Sequence, residues 1–350
     1  MDIRGGIVWG ALFTTLLGGC ALKRVPSLQE FGSTSYAPTP SLAEREVAPY
    51  PHLPASNSPE TPTPTRDEFA FTNPRIERLI MQYQNARRGL SGARYVPRIS
   101  EILRERGLPR QLAYVPLIES GFRPHAVSSA GAVGPWQFLA DTGRRYGLRI
   151  DSCVDERRDP VKSTRAAARY LDALREMFGN WHLALAAYNT GEGTIVRILR
   201  KGGAGDFWEM RRRGELCAET AEFVPRFLAA LRIAETPEVY GFDAPTAEPF
   251  DYDLVLLRRS LSLATVARLS GTATSTIKEL NPALHRGMVP PHGYAVRLPK
   301  GTRAAFKIAY GHLTRSAQHW SRHLQASTAR LAADPTGIML AAPRALSAVL

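Results

Sequence analysis

Apolar positions recur with a helical period through most of this chain, and with a strand period only near residues 254–257 and 294–299. Ile76, Leu79, Ile80 and Tyr83 fall at i, i+3, i+4 and i+7, and Val96, Ile99, Ile102 and Leu103 form a second amphipathic segment before Gly107. Pro109 stands where a helix can begin, and the almost wholly apolar run 111–120 follows, with Glu119 near its end. Pro116 lies inside that run and removes one intrahelical hydrogen bond, which predicts a kink or a short 3₁₀ piece there. Asp159-Pro160 supplies an N-cap and a proline at the first helical position, for a helix carrying Leu171, Leu174 and Met177 up to Gly179-Asn180. Further helices are expected over 181–189, 194–200 and 219–235, the last bearing Phe223, Phe227, Leu228 and Leu231. No period-two pattern occurs before residue 242, so this domain reads as α-helical.

Beyond residue 250 the texture changes. A strand at 254–257, a helix with Leu263, Val266, Ala267 and Leu269, a second helix ending Leu280-Asn281-Pro282, and an alternating strand from Tyr294 to Pro299 give a small β-α-α-β module. The fold class is therefore mainly α with a small α+β module, and 350 residues suit two such domains.

The two ends extend this picture. Arg4 precedes an apolar run from Ile7 to Leu17, too short to span a bilayer and suited to an export signal. The run closes on Leu17-Gly18-Gly19-Cys20, which resembles the bacterial lipobox; the resemblance implies acylation of Cys20, and Ala21 after it implies the periplasmic face of the outer membrane. Nine prolines then fall between Pro26 and Pro64 with few apolar clusters, the composition of an extended tether. The expected layout is 1–20 signal, 21–72 tether, 73–242 helical domain, 250–301 small module and 302–350 basic tail without assigned structure.

A net charge of +13 implies an anionic partner, and export argues against nucleic acid in that role. The stretch from Leu280 to Ala333 holds no Asp or Glu and many arginines, which reads either as a solvated face or as a contact with anionic cell wall. In an oxidising compartment Cys153 and Cys217, without C-x-x-C spacing, are expected to form a disulfide, the alternative being two separate thiols. No motif implies a metal or a cofactor.

The chemistry concentrates in one stretch. Glu119 sits among Leu117, Ile118 and Phe122, where desolvation should raise its pKa and keep it protonated near neutrality, as a general acid requires. Glu119-Ser120-x-Phe122 is followed by Ala126, Ser128, Ala130, Gly134 and Trp136-Gln137-Phe138, and later by Ala187-Tyr188-Asn189-x-Gly191 and Glu219-Thr220-x-x-Phe223-Val224-Pro225. Together these resemble the soluble-lytic-transglycosylase (SLT, family 1) domain, closest to its membrane-bound D-type lipoprotein subgroup, over roughly residues 73–242; Phe223 stands where that family usually has Tyr.

The resemblance implies a lysozyme-like helical fold, peptidoglycan as substrate, and cleavage by Glu119 alone, acting first as acid and then as base to leave 1,6-anhydromuramoyl ends. It also implies that Ser128, Gln137 and Phe138 line the cleft and that Tyr188 and Asn189 face the acetamido group and Glu119. Phe138 as plain core, and Tyr188 with Asn189 as helix-end packing and C-cap, remain alternatives; Asp155 to Asp159 reads chiefly as a capping and ion-pair cluster. The module at 250–301 resembles a degraded LysM repeat through Ser262-Leu263-Ala264, Leu280-Asn281-Pro282 and Leu298-Pro299. A lysozyme-type hydrolase and a non-catalytic, lipid-anchored wall-binding scaffold are the competing functions.

Overall fold

The computed structural model describes residues 68–85, 93–242 and 250–315, together with residue 325. The export signal, Cys20 and nearly all of the proline-rich stretch lie outside the described residues. The chain divides into two units: among the described residues the larger takes in 68–150 and 156–242, the smaller 151–155 and 250 onward.

The larger unit is helical: α1 (Pro74–Asn85), α2 (Val96–Glu105), α3 (Val115–Ser120), α4 (Ala140–Arg145), α5 (Pro160–Phe178), α6 (Trp181–Thr190), α7 (Glu192–Arg200), α8 (Phe207–Arg212) and α9 (Ala218–Glu235). Its centre is α6, which buries every residue from Trp181 to Ala187 between α5 and α9. A helix apolar on all sides has no other stable place, since each exposed Leu would forgo about 1.5–3 kcal/mol of burial. Asp159 caps α5 as its position suggests, its carboxylate accepting the N–H groups of Val161 and Lys162, and Gly179 ends the helix in the left-handed conformation.

Three local outcomes differ from the sequence pattern. The 3₁₀ piece spans Arg110–Tyr114, ahead of Pro116 rather than at it. Pro116 is the second residue of α3, where its missing N–H would have had no helical partner, so no kink results. The folded unit also begins before residue 73: Phe69 is buried against the rings of Trp181 and Phe227, and the Glu68 carboxylate accepts the Trp181 N–H at 2.6 Å and pairs with Arg175 at 3.0 Å. Finally, α4 and α8 are short helices that the apolar period did not mark.

In α9, Pro225 interrupts the hydrogen-bond ladder, and the carbonyl it orphans is that of Ala221. The Arg211 Nε–H, at the end of α8, donates to this carbonyl at 2.9 Å, and the same guanidinium pairs with Glu222 at 2.9 Å. A partly buried backbone acceptor is thereby satisfied by a side chain from another helix.

The smaller unit pairs β1 (Asp253–Leu257) with β4 (Tyr294–Leu298) and β2 (Leu261–Ser262) with β3 (Met288–Val289), both antiparallel, around α10 (Leu263–Ser270) and α11 (Thr274–Leu280). Its core joins Val255, Leu257, Leu263, Val266, Ile277, Val296 and Leu298, and takes in Val154 from the segment 151–155. Asn281 explains the Leu-Asn-Pro signal: its amide accepts the Arg297 N–H and donates to the Arg297 carbonyl, both at 2.8 Å, so the side chain stands in for a strand partner.

Two expectations are corrected here. The module does not close at residue 301, because residues 303–315 are helical and Phe306 lies in the same core, its ring stacked on Tyr310 at 5.7 Å. The basic residues around these aromatics masked a core-facing i, i+4 pair. No disulfide joins Cys153 and Cys217. Cys153 packs against the core of the smaller unit, while Cys217 is the N-cap residue of α9 with its Sγ 3.2 Å from Thr220 Oγ1, so each sulfur is engaged in its own unit. No helix among the described residues is long and apolar enough to cross a membrane.

Candidate active site

Glu119 is the penultimate residue of α3, and Val115, Pro116, Leu117, Ile118 and Ser120 around it are buried. Gly121 then turns left-handed, its N–H closing on the Leu117 carbonyl, and Phe122 follows with φ of 59° and donates to the Pro116 carbonyl. The helix stops abruptly, and the carboxyl is left at its end with apolar neighbours. Glu119 keeps partial exposure as a residue, yet its carboxyl is enclosed and its pKa is pushed up to about 8. Burial is the principal cause, opposed by the Arg226 guanidinium and reinforced by the Glu219 carboxylate, both on α9. At pH 7 roughly nine molecules in ten therefore carry the proton.

The glycine-rich segment after α3 is a pinned loop. Ser120 Oγ–H donates to the Pro135 carbonyl at 2.8 Å, tying the loop to the end of the helix that carries Glu119. Ser128 Oγ accepts the Ala132 N–H at 3.0 Å and its backbone pairs with Ala132 again, so this serine builds the tip while keeping its own proton to donate. Gln137 adopts φ of 49°, uncommon for a residue with a Cβ, and its Nε2–H donates to the Gly134 carbonyl at 2.8 Å, leaving the amide oxygen available. At Gly134 the φ is +85° and an added Cβ would lie 1.9 Å from the Arg157 carbonyl oxygen, so only glycine fits.

In the sequence Arg157 stands within the Asp155–Asp159 stretch, which resembles the D-type subgroup and reads chiefly as a capping and ion-pair cluster. Its guanidinium in fact donates to the Gly131 and Phe138 carbonyls, both at 3.2 Å, and holds the two ends of the loop together. The other members act locally: Asp159 caps α5, and Glu156 accepts from Lys162 and from the Arg149 N–H.

Tyr188, on α6, donates its hydroxyl proton to the Trp136 carbonyl at 2.7 Å. Burial raises its pKa well above the usual phenol value, with the Glu119 charge adding to the rise. Its ring meets the edges of Trp136 and Phe138 and tilts against Tyr170 at 5.3 Å. Phe138 is buried, and its ring packs on Tyr170 and Tyr188. Trp136 is itself fixed by its indole N–H on Thr164 Oγ1 at 2.9 Å.

Asn189 is half-buried and accepts from Thr220 Oγ1 at 2.8 Å. Phe223 is buried, one helical turn beyond Thr220 on α9. The sequence had not singled out Tyr170, Thr220, Arg157 or Arg226 as site residues. No local pattern marks Tyr170 or Arg226, which approach from distant parts of the chain, while Thr220 and Arg157 stand in quoted stretches that assign them no role of their own.

The arrangement is an α-helical domain in which one enclosed carboxyl lies beside a pinned loop and an aromatic cluster. Sequence comparison places this class: residues 99–211 match the family described as Transglycosylase SLT domain, and residues 251–314 match the family described as Lytic transglycosylase MltD, LysM-like domain. These two stretches are what the chain shares with the two families.

Among curated relatives, the chain is 35% identical over 232 residues to membrane-bound lytic murein transglycosylase D of Escherichia coli (strain K12), covering 61% of this chain and 50% of that protein. It is 37% identical over 99 residues to peptidoglycan transglycosylase gp16 of Escherichia phage T7, covering 27% of this chain and 8% of the relative. The chain spans about half the length of the first of these and a small part of the second. Among solved structures, lytic transglycosylase Slt of Pseudomonas aeruginosa aligns with a TM-score of 0.34 at 24% identity, over 41% of this chain and 24% of that one. The 70 kDa soluble lytic transglycosylase of Escherichia coli aligns with a TM-score of 0.32 at 20% identity, over 47% and 24%.

Proposed function

We propose that this chain is a lytic transglycosylase that cuts peptidoglycan glycan strands at the β-1,4 bond between N-acetylmuramic acid and N-acetylglucosamine. The observation that carries the reading is the Glu119 carboxyl, held protonated at neutral pH at the end of α3, beside a loop fixed by Ser120 and Arg157. The SLT-domain match and the relatives' names support the substrate class.

In the first step the Glu119 proton passes to the glycosidic oxygen, the bond from that oxygen to C1 breaks, and the acetamido oxygen of the muramoyl residue bonds to C1. In the second step the Glu119 carboxylate takes the C6 hydroxyl proton, O6 bonds to C1, and the acetamido oxygen is released. Glu119 ends protonated as it began, no water is consumed, and a 1,6-anhydro end remains. Ser128, Gln137, Tyr188 and Asn189 would position the sugars, with Phe138 behind them.

A hydrolytic reading has one observation in its favour: Glu219 is a second carboxylate whose charge reaches Glu119. Digestion of purified glycan strands followed by mass measurement separates the two. Ends one water lighter than the hydrolysis product are expected; reducing ends of full mass would make the enzyme a hydrolase. Glu119→Gln should lower turnover by about 10²–10⁴-fold, the range of general acid catalysis. Unchanged turnover would remove both enzymatic readings and leave the wall-binding scaffold.

The chain's cellular setting is read the same way. Acylation at Cys20, followed by a proline-rich tether, would hold the enzyme at the periplasmic face of the outer membrane, with the basic surface of the LysM-like unit turned to the anionic wall. No nucleic acid enters this reading.

A further inference from the structure

The Glu-Thr pair at the start of α9 does more than continue a helix. Thr220 is fully buried, and its Oγ1 lies 2.8 Å from Asn189 Oδ1 on α6 and 3.2 Å from Cys217 Sγ at the α9 N-cap. A hydroxyl has one proton to give. An amide oxygen is a much stronger acceptor than a thiol sulfur, so that proton goes to Asn189, and the Cys217 S–H is left to donate to the Thr220 oxygen. The chain of hydrogen bonds therefore has a fixed direction, from S–H to O–H to amide oxygen.

Direction matters because asparagine is two-faced, with one acceptor group and one donor group. With Oδ1 taken by Thr220, the Nδ2 donors of this half-buried residue make no hydrogen bond among the described residues. We propose that Thr220 is a positioning residue whose hydroxyl fixes the Asn189 amide so that the site presents an N–H donor to a carbonyl oxygen of a glycan acetamido group. This rests on the glycan-cleaving reading above. The acetamido carbonyl is the strongest uncharged acceptor that an N-acetylated hexosamine offers, and a bare hydroxyl does not replace it. Thr220 in this account selects N-acetylated sugar without touching it.

The test uses the full chain with Glu119→Gln, so that binding is measured without turnover, and two neutral probes: the hexamer of β-1,4-linked N-acetylglucosamine and the hexamer of β-1,4-linked glucose. Thr220→Val keeps the shape and removes the hydroxyl, and Thr220→Ser restores it. Thr220→Val is expected to weaken the acetylated hexamer about five- to tenfold, one neutral hydrogen bond's worth, and to leave the glucose hexamer unchanged. Thr220→Ser is expected to recover most of the loss. In an Asn189→Ala background Thr220→Val should change nothing further, because the group it orients is gone.

Equal weakening of both probes, or the same loss with and without Asn189, would reduce Thr220 to a packing residue and overturn the proposal. Thermal unfolding of each variant reports misfolding separately, and Thr220→Ser keeps the test decisive if the valine variant melts early. Failure of the parent reading shows elsewhere: absence of anhydro ends in the wild-type digest would remove the transglycosylase, while the binding data would still decide the role of Thr220.

Discussion

At the residue scale, the enclosure that makes Glu119 useful also makes it costly. Its pKa is near the ordinary carboxyl value of 4.5 in the unfolded chain and about 8 in the folded one, so the unfolded state binds fewer protons between these limits. Stability contributed at this site is highest below pH 4.5 and falls as pH rises toward 8. Glu119→Gln removes the titration, so the variant should be more stable than wild type at pH 7, by at most on the order of 3 kcal/mol, and about equal to it at pH 4. Thermal melts at the two pH values check this; a variant less stable at pH 7 would mean that the carboxyl is not desolvated. Turnover should fall as pH rises through about 8, because the acid is then lost before the first step. Arg226 holds this pKa down while Glu219 raises it, so Arg226→Gln should move the alkaline limb upward and Glu219→Gln downward. Glu119 itself was legible from sequence, since a carboxylate ending an apolar run is conspicuous. Its electrostatic neighbours were not, because they lie about a hundred residues further along the chain.

At the element scale, two repairs hold the site's framework. Pro225 breaks the α9 ladder and Arg211 fills the gap at the Ala221 carbonyl. Arg211→Met should cost roughly 1.5–3 kcal/mol, the range for a hydrogen bond to a charged group. Pro225→Ala returns an N–H to that carbonyl, so in its presence the cost of Arg211→Met should shrink; chemical denaturation of the four proteins measures the coupling. The second repair is Arg157, which binds both ends of the loop through Gly131 and Phe138. Gly134→Ala would force a Cβ into the Arg157 backbone and should unfold this loop, seen as fast amide exchange over residues 126–138 with activity lost. The sequence foretold most long helices because apolar period and capping residues are local. It missed α4 and α8, whose six residues are too few to show a period.

At the scale of the whole molecule, two units share one chain, and the smaller is larger than its motif. Phe306 belongs to its core, so Phe306→Ala should destabilise that unit by about 3–5 kcal/mol. A calorimetric transition left unmoved would place the domain end near residue 301 after all. Cys20→Ser tests the proposed anchor: the protein should pass from the membrane fraction to the soluble one, and continued attachment would contradict acylation at that cysteine.

The sequence by itself determined the class of each unit, the helical periods, the Asp159 cap and the place of Glu119 at the end of an apolar run, because each of these is set by residues within a turn or two of one another. The tertiary structure decided what surrounds the acid. Arg157 reaching the loop, Arg211 reaching α9, Thr220 turning Asn189 and the two cysteines lying in separate units all depend on which helices pack together. Such contacts leave no trace in local pattern, since hydrogen bonds across 10 to 31 residues impose no spacing that a reader of one sequence can see.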